Sequence, residues 1–541
     1  MSQKKRGNDF VKQAGILAGA GIIVRIIGIL YRSPLTSIIG DEGNGYYGAA
    51  YNIYAIILLL SSYSIPSAIS KVIAQKMAVG EYRNAHRIFK NAFLYVCVVG
   101  GAASLLTFLL AGVLVDKNAV PVLRIFTPTI FFSGILGVLR GYFQAHRTMV
   151  QTSLSQILEQ ILNAAVSILA AWLLVQGADG SERAIRGAMG SAMGTGAGVI
   201  IALIFMALLY RVNQRYFHRR IARDHGHTDM TRKQILRLIV LVVTPFILST
   251  FIYNLSTSLN QTIYINILKG VKGFTSAEAA TQYGIYSGKT MVIINIPIAI
   301  ASAVSAAIIP TISAAYAGRD VEDTREKVAI GIQTTMMIAI PAAVGLGVLA
   351  RPVTQLLFPQ PVSLEAASSL LRALAVSVVF YSLSTLTNAV LQAVGRLNRP
   401  VIHAAIALVI QTVVLVLMLL FTEVNLYGLV LAAIVYSFVM CVLNQITVRQ
   451  SLGYRQEYMR TFVLPALSAG IMGAFAWAAY EVVYMVLPSN VVALAVSIVV
   501  AVAVYFALVL KTGAMGREEL MHFPKGRSIG RLAERLHLFR D

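Results

Sequence analysis

"GIIVRIIGILYRSPL", residues 21–35, sets two arginines in a run that otherwise reads as hydrocarbon. The apolar stretch around it, residues 11–36, is long enough for a helix to cross roughly 30 Å of lipid. Arg25 and Arg32 lie seven residues apart, two helical turns, so they leave nearly the same face about 10 Å apart in height. Gly21 and Gly28 share that face. The stripe Gly21, Arg25, Gly28, Arg32 combines positive charge with missing bulk, which makes a poor surface for lipid and a good wall for a polar cavity. Holding one such cation at mid-membrane costs about 2.5–3.5 kcal/mol, so an intramembrane arginine asks for a function. Arg25 sits nearer mid-span; Arg32, near the outer end just before Pro34, can also snorkel to the headgroups.

The rest of the chain repeats the pattern of that first stretch. Of 541 residues, 57% are hydrophobic and 13% charged, with a mean hydropathy of +0.73. That composition belongs to an integral membrane protein. Its apolar runs are continuous rather than alternating, so they predict helices and not a barrel. Spans are expected near residues 11–36, 46–76, 88–115, 120–143, 152–175, 186–210, 238–268, 279–316, 328–350, 366–394, 400–421, 426–448, 462–486 and 490–511. The fold class is therefore an all-α polytopic membrane protein of about fourteen transmembrane helices. The first span follows "KKRGNDFVKQ" without a small-residue cleavage site and is expected to stay as an anchor.

An even number of spans places both termini on one side. With the charges near span ends counted in the adjoining connections and only Arg25, Arg32 and Lys289 assigned to the spans, the termini and the connections on that side hold 34 of the 45 Lys and Arg and the opposite connections hold 8. This is the positive-inside bias, so both termini are expected in the cytoplasm of a bacterial plasma membrane. The same bias explains the net charge of +22 without nucleic acid. Cys97 and Cys441 both fall in apolar spans and suggest neither a disulfide framework nor a metal site.

The longest polar interruption, residues 210–238, splits the chain into similar halves. "IPSAIS" at 65–70 matches "IPTIS" at 309–313, and "FQAHRTMVQTSLSQILEQ" at 143–160 matches "LQAVGRLNRPVIHAAIALVIQ" at 391–411. The two offsets, 244 and 248 positions, define one repeat of six helices. The expected organisation is a six-helix bundle at 1–210, a basic cytoplasmic linker at 211–237 and a second bundle at 238–450. Two added helices at 451–512 and a basic amphipathic tail at 513–541 complete it. A parallel repeat of this kind relates two bundles by an axis along the membrane normal, and a transported substrate normally binds between them.

Lys289, in "YGIYSGKTMVIINIP", is a third intramembrane cation, with Gly284 and Gly288 before it and Pro297 after it. The glycines permit close approach and the proline bends the helix. Glu159 is the only obvious intramembrane acid available to the three cations, and it can neutralise only one of them. The surplus points to an anionic ligand. Asn254, Ser258 and Gln261 share a face of the seventh span, where they supply interhelical hydrogen bonds or, in a wet cavity, contacts to sugar. Pro66, Pro297 and Pro310 are hinge candidates. No Ser-His-Asp order, Walker loop or metal-ligand spacing stands out, so neither catalysis, a cofactor nor a metal is expected.

"RIIGILYRSPLTSIIGDEGNGYYGAAYNIY" at 25–54, followed by "IPSAISKVIAQKMAVGEYRNAHRIFKNA" at 65–92, resembles the polysaccharide-biosynthesis branch of the multidrug/oligosaccharidyl-lipid/polysaccharide (MOP) exporters. The likeness is greatest to the MurJ-type lipid II flippases in their Gram-positive form. It implies movement of an undecaprenyl-diphosphate-linked cell-wall precursor from the inner to the outer leaflet by alternating access. Arg25 and Arg32 occupy the stretch whose arginines line the family's cavity, and Lys289 stands where the family carries an eighth-helix cation, often arginine. The family's second-helix arginine, its first-loop aspartate and the cation-coupling carboxylates of some relatives have no counterpart. The implied partners are the lipid-linked glycan and the bilayer, with cell-wall synthesis enzymes as a further set. Three rival readings stand beside it: a flippase for another polyprenyl-linked polysaccharide unit, a drug/cation antiporter of the same fold, and a non-transporting scaffold.

Overall fold

The computed structural model describes residues 19–515 except 22, 60–64, 147–148, 223, 225–229 and 397, and it leaves out the side chains of 238–254 and of several scattered helical positions. The tail at 516–541, with its expected amphipathic helix, lies outside the described residues. Among the described residues the chain is helical with no strand. This is the economical answer to a solvent without hydrogen-bonding partners for the backbone. Two units form, divided after Gly284.

The first unit holds α1 (Gly19–Leu30), α2 (Arg32–Leu58), α3 (Ile65–Ala78), α4 (Tyr82–Leu114), α5 (Val120–Ala145), α6 (Met149–Leu174), α7 (Gly180–Ile221) and α8 (Arg232–Gly270), and α9 (Ser276–Ile285) closes it. The second begins with a π-helical turn (Tyr286–Thr290) leading into α10 (Met291–Ala317). It continues with α11 (Val321–Val348), α12 (Ala350–Leu357), α13 (Pro361–Leu374), α14 (Ser377–Ala393), α15 (Asn398–Phe421) and α16 (Leu426–Leu452). A second π turn (Met459–Val463) precedes α17 (Leu464–Val486) and α18 (Asn490–Lys511).

Among the described residues ten helices are long and apolar enough to span a membrane, and up to twelve if the bent pairs α1–α2 and α13–α14 each count as one. Fourteen were expected. One difference is α2, which runs across the expected boundary between the first two spans. The other is α8, whose side chains over 238–254 are outside the described ones. On α4, Leu94, Val98, Leu105 and Leu109 are exposed although apolar, as a lipid-facing stripe requires.

Two connections expected from the sequence are helical instead. "GDEGNG" at 40–45 is not an open loop: Gly40 alone breaks the helix, with φ 70° and ψ 179°. Asp41 and Glu42 then stand at the start of the next helical segment, where the helix dipole favours acids. Residues 211–221 continue α7, a helix of 42 residues. They stay folded because Phe217 is buried against Tyr142, Phe143, His146 and Tyr210. The chain re-enters helix at a capping box, in which the Thr231 hydroxyl accepts from the Gln234 backbone N–H and the Gln234 side chain accepts from the Thr231 backbone N–H.

Small residues set the packing of the first unit. A Cβ added at Gly194 on α7 would come within 2.0 Å of Ser167 Oγ on α6, and one at Gly284 on α9 within 1.9 Å of the Asp41 carbonyl oxygen on α2. The helices therefore meet backbone to backbone. In the second unit the added pair α17–α18 docks on α11 and α12. Met337 packs with Val509 and Leu510, and Leu349 with Ala476 and Leu494.

Candidate functional site

The helix that carries the opening stretch is bent by 49° between α1 and α2, and Arg32 opens α2 immediately after that bend. Arg25 on α1 is exposed and Arg32 is half-buried. The phenols of Tyr31, Tyr47 and Tyr51 lie within electrostatic reach of the Arg32 guanidinium. A Cβ added at Gly28 would stand 3.3 Å from Gln160 Nε2 on α6.

Tyr47, Tyr51 and Tyr54 follow one another at i, i+4, i+7 on α2, so one helical face is aromatic. Tyr47 stacks on Tyr51 with centroids 5.6 Å apart, and Tyr54 stacks on Phe126 of α5 at 4.7 Å. A guanidinium beside a wall of tyrosines can hold an anion and lay a sugar ring against an aromatic face. The cation was legible in the sequence. The tyrosines were missed, although their spacing in "YYGAAYNIY" carried the signal.

Glu159 requires a correction. Its carboxylate accepts from Arg140 Nη2 at 2.7 Å, while Arg140 Nε donates to Ser155 Oγ at 2.8 Å. Arg140, three residues from the end of the expected fourth span, lies inside α5. The one acid thought able to neutralise Arg25, Arg32 or Lys289 is thus engaged by a fourth cation.

Of the polar face on the seventh span, Gln261 is buried, and its Oε1 accepts a hydrogen bond from Asn52 Nδ2 on α2. Asn52 also donates to the Tyr283 hydroxyl at 3.4 Å. This is an interhelical network. Gln261 Nε2 is buried and meets no acceptor among the described residues. Ser258 is buried beside it, and the Asn254 side chain lies outside the described ones.

In the second unit Lys289 occupies the π turn and is fully buried, donating to Ser363 Oγ on α13. One residue on, Thr290 Oγ1 donates to the Ala367 carbonyl at 3.4 Å. The wider turn is a device found often at functional positions in otherwise regular helices. Of the hinge candidates, Pro297 is buried within α10 and Pro66 lies in the first turn of α3. Pro310 is inside α10, with its side chain outside the described ones.

The sequence profile described as "polysaccharide biosynthesis protein" matches residues 10–316, more than half of the chain. The chain belongs to the polysaccharide biosynthesis protein family. A second profile, MatE, matches residues 287–417. Family relatives are similar along their whole length. Stage V sporulation protein B of Bacillus subtilis (strain 168) is 25% identical over 535 residues, 97% of this chain and 98% of that protein. Lipid II flippase MurJ of the same organism is 24% identical over 571 residues, covering 98% of this chain and 100% of that one. Among solved structures, lipid II flippase MurJ in an inward closed conformation is similar with a TM-score of 0.65 at 14% identity, over 91% of this chain and 97% of that one. A multidrug resistance MATE family transporter of the MOP superfamily, inward-facing, is similar with a TM-score of 0.64 at 18% identity, over 79% and 94%. The family member therefore has the fold that these two solved structures share.

Proposed function

We propose that this family member is a flippase that carries a polyprenyl-diphosphate-linked glycan from the inner to the outer leaflet by alternating access, with the cell-wall precursor lipid II as its first candidate cargo. The observation that carries the reading is Arg32 at a broken transmembrane helix, held among Tyr31, Tyr47 and Tyr51. Guanidinium groups suit diphosphates because their planar donors pair with two oxygens at once. Arg25 and Arg32 in the first unit and Lys289 in the second supply the positive charge. The tyrosine face and Gln261 Nε2 supply contacts for the glycan. Similarity to lipid II flippase MurJ supports the choice of cargo.

A drug/cation antiporter is disfavoured because cationic drugs call for cavity acids, and Glu159 is already paired with Arg140. A scaffold that gathers cell-wall enzymes predicts the reverse sensitivity, to the basic surface of 210–238 and not to the buried cations. The test is replacement of the native flippase in a Gram-positive host, scoring growth and outer-leaflet lipid II with the parent, Arg32→Ala and Lys289→Ala at matched abundance. Rescue by the parent and loss in both variants is the expected result. Failure of a well-expressed parent moves the cargo to another polyprenyl-linked unit, and rescue by both variants removes the cationic site.

A further inference from the structure

A second polar site lies in the second unit, apart from the residues assigned above. A cavity of about 690 Å³ opens beside the end of α16, lined by α14, α16 and the segment that leads into the second π turn. The end of α16 is fixed by Gly453, whose φ of +62° only glycine adopts without strain, and by Arg325 Nε donating to the Leu452 carbonyl at 2.6 Å. Gln445 Nε2 then donates to Gln456 Oε1 at 2.9 Å and ties the following segment back onto the helix. The rim is therefore built, not a loose loop.

The cavity changes chemistry from one end to the other. Arg449 and Arg455 stand at its rim, both exposed, and among the described residues neither guanidinium meets a carboxylate. The nearby pair Arg460–Glu457, at 3.6 Å, uses a different arginine. Gln445 Oε1 is buried without a donor, an acceptor left open in a polar wall. About one and two turns back along α16 from Arg449, Ile446 and Val442 line the cavity and remain 47% and 39% exposed, so it opens on a face that a bilayer would cover. The rim belongs to one of the connections whose basic charge assigns it to the cytoplasmic side.

We infer that this cavity is a binding site for an anionic diacyl phospholipid of the inner leaflet, its phosphate held by Arg449 and Arg455 and its first acyl segment laid on Val442 and Ile446. Gln445 Oε1 accepts a hydrogen bond from a headgroup hydroxyl, which glycerol-bearing headgroups supply and choline does not. Basic pockets at the cytoplasmic edge of helix bundles recognise lipid phosphates by this combination of charge and adjoining apolar surface. The inference does not depend on what the protein transports.

The test uses the full chain in nanodiscs of phosphatidylcholine doped with phosphatidylglycerol, followed by native mass spectrometry of the lipid retained on release. Phosphatidylglycerol is expected to stay bound to the parent. Retention should fall roughly tenfold or more in Arg449→Gln/Arg455→Gln, each arginine near an anionic surface contributing to the loss. It should fall also in Val442→Trp, which fills the apolar end and leaves both charges. Equal retention of phosphatidylcholine, no loss in the double arginine variant, or full retention in Val442→Trp each overturns the site; the last would reduce it to surface charge. Displacement of phosphatidylglycerol by undecaprenyl phosphate at equal concentration overturns the choice of a diacyl lipid.

Discussion

Arg32 and Lys289 are cations of the same membrane protein in opposite settings. The first sits half-buried at a helix bend among tyrosines, next to an exposed Arg25. The second is fully buried in a π turn, its ammonium on Ser363. A planar, weakly hydrated guanidinium can wait at a partly open wall, whereas a compact ammonium buried in the helix packing must be solvated by a fixed partner. Under the proposed function these settings divide the labour: the more open cation meets the anion first, and the buried one is a charge in reserve until its serine is exchanged for phosphate.

The largest effect is expected at the sealed site. Lys289→Met should lower flipping in proteoliposomes by roughly ten- to a hundredfold, the value of a charge-assisted hydrogen bond to substrate converted to a rate. Arg32→Ala should lower it about tenfold, because Arg25, on α1 across the bend, remains to share the load. If Arg32→Ala abolishes transport while Lys289→Met leaves it whole, the reserve charge has no part and the comparison breaks. Glu159→Gln should leave cargo recognition intact but lower the stability of the first unit by about 1.5–3 kcal/mol, read as a shift in thermal unfolding, because it strands Arg140.

Two smaller effects sharpen the contrast within the first unit. A double-mutant cycle on Asn52 and Gln261 should return a coupling of about 0.6 kcal/mol, ordinary for hydrogen bonds between membrane helices. At the unit's polar edge, burial alone would raise the Asp116 carboxyl, but the Lys269 ammonium together with Asn118 and Ser276 holds it below the usual carboxylate range. A depressed carboxyl contributes stability above the ordinary carboxylate pKa and loses it as pH falls through the lowered value. Thermal stability should therefore decline on acidification in the parent, and Asp116→Asn should flatten that decline. An identical acid profile in the two proteins would assign the loss to other carboxylates.

Much of this was legible from residue spacing. Long apolar runs gave the helices, and Arg25, Arg32 and Lys289 stood out because charge is costly in lipid. Gly284 was read as a point of close approach and meets the Asp41 backbone. What escaped depended on register across helices. Arg140 and Glu159 are 19 positions apart on neighbouring helices, and nothing local distinguishes such a pair from two charges near a membrane edge. Residues 211–221 read as a polar linker because charge dominates their composition, while the single anchor Phe217 decides their structure. The aromatic face of α2 was overlooked because tyrosines in a membrane helix are common at interfaces and rarely mark a site by themselves.

The division after Gly284 has a consequence for the order of synthesis. Gly45 on α2 packs on the Ala280 backbone and Gly284 on that of Asp41, so the second helix of the chain meets its closest neighbour only when the ninth has emerged. With translation at roughly 5–20 residues per second, α2 must wait in the membrane for about 10–50 seconds with its glycine face incomplete. The nascent first unit is in that interval a natural client for whatever insertion machinery shields unfinished helices, and a pause or truncation before residue 284 should release it unassembled.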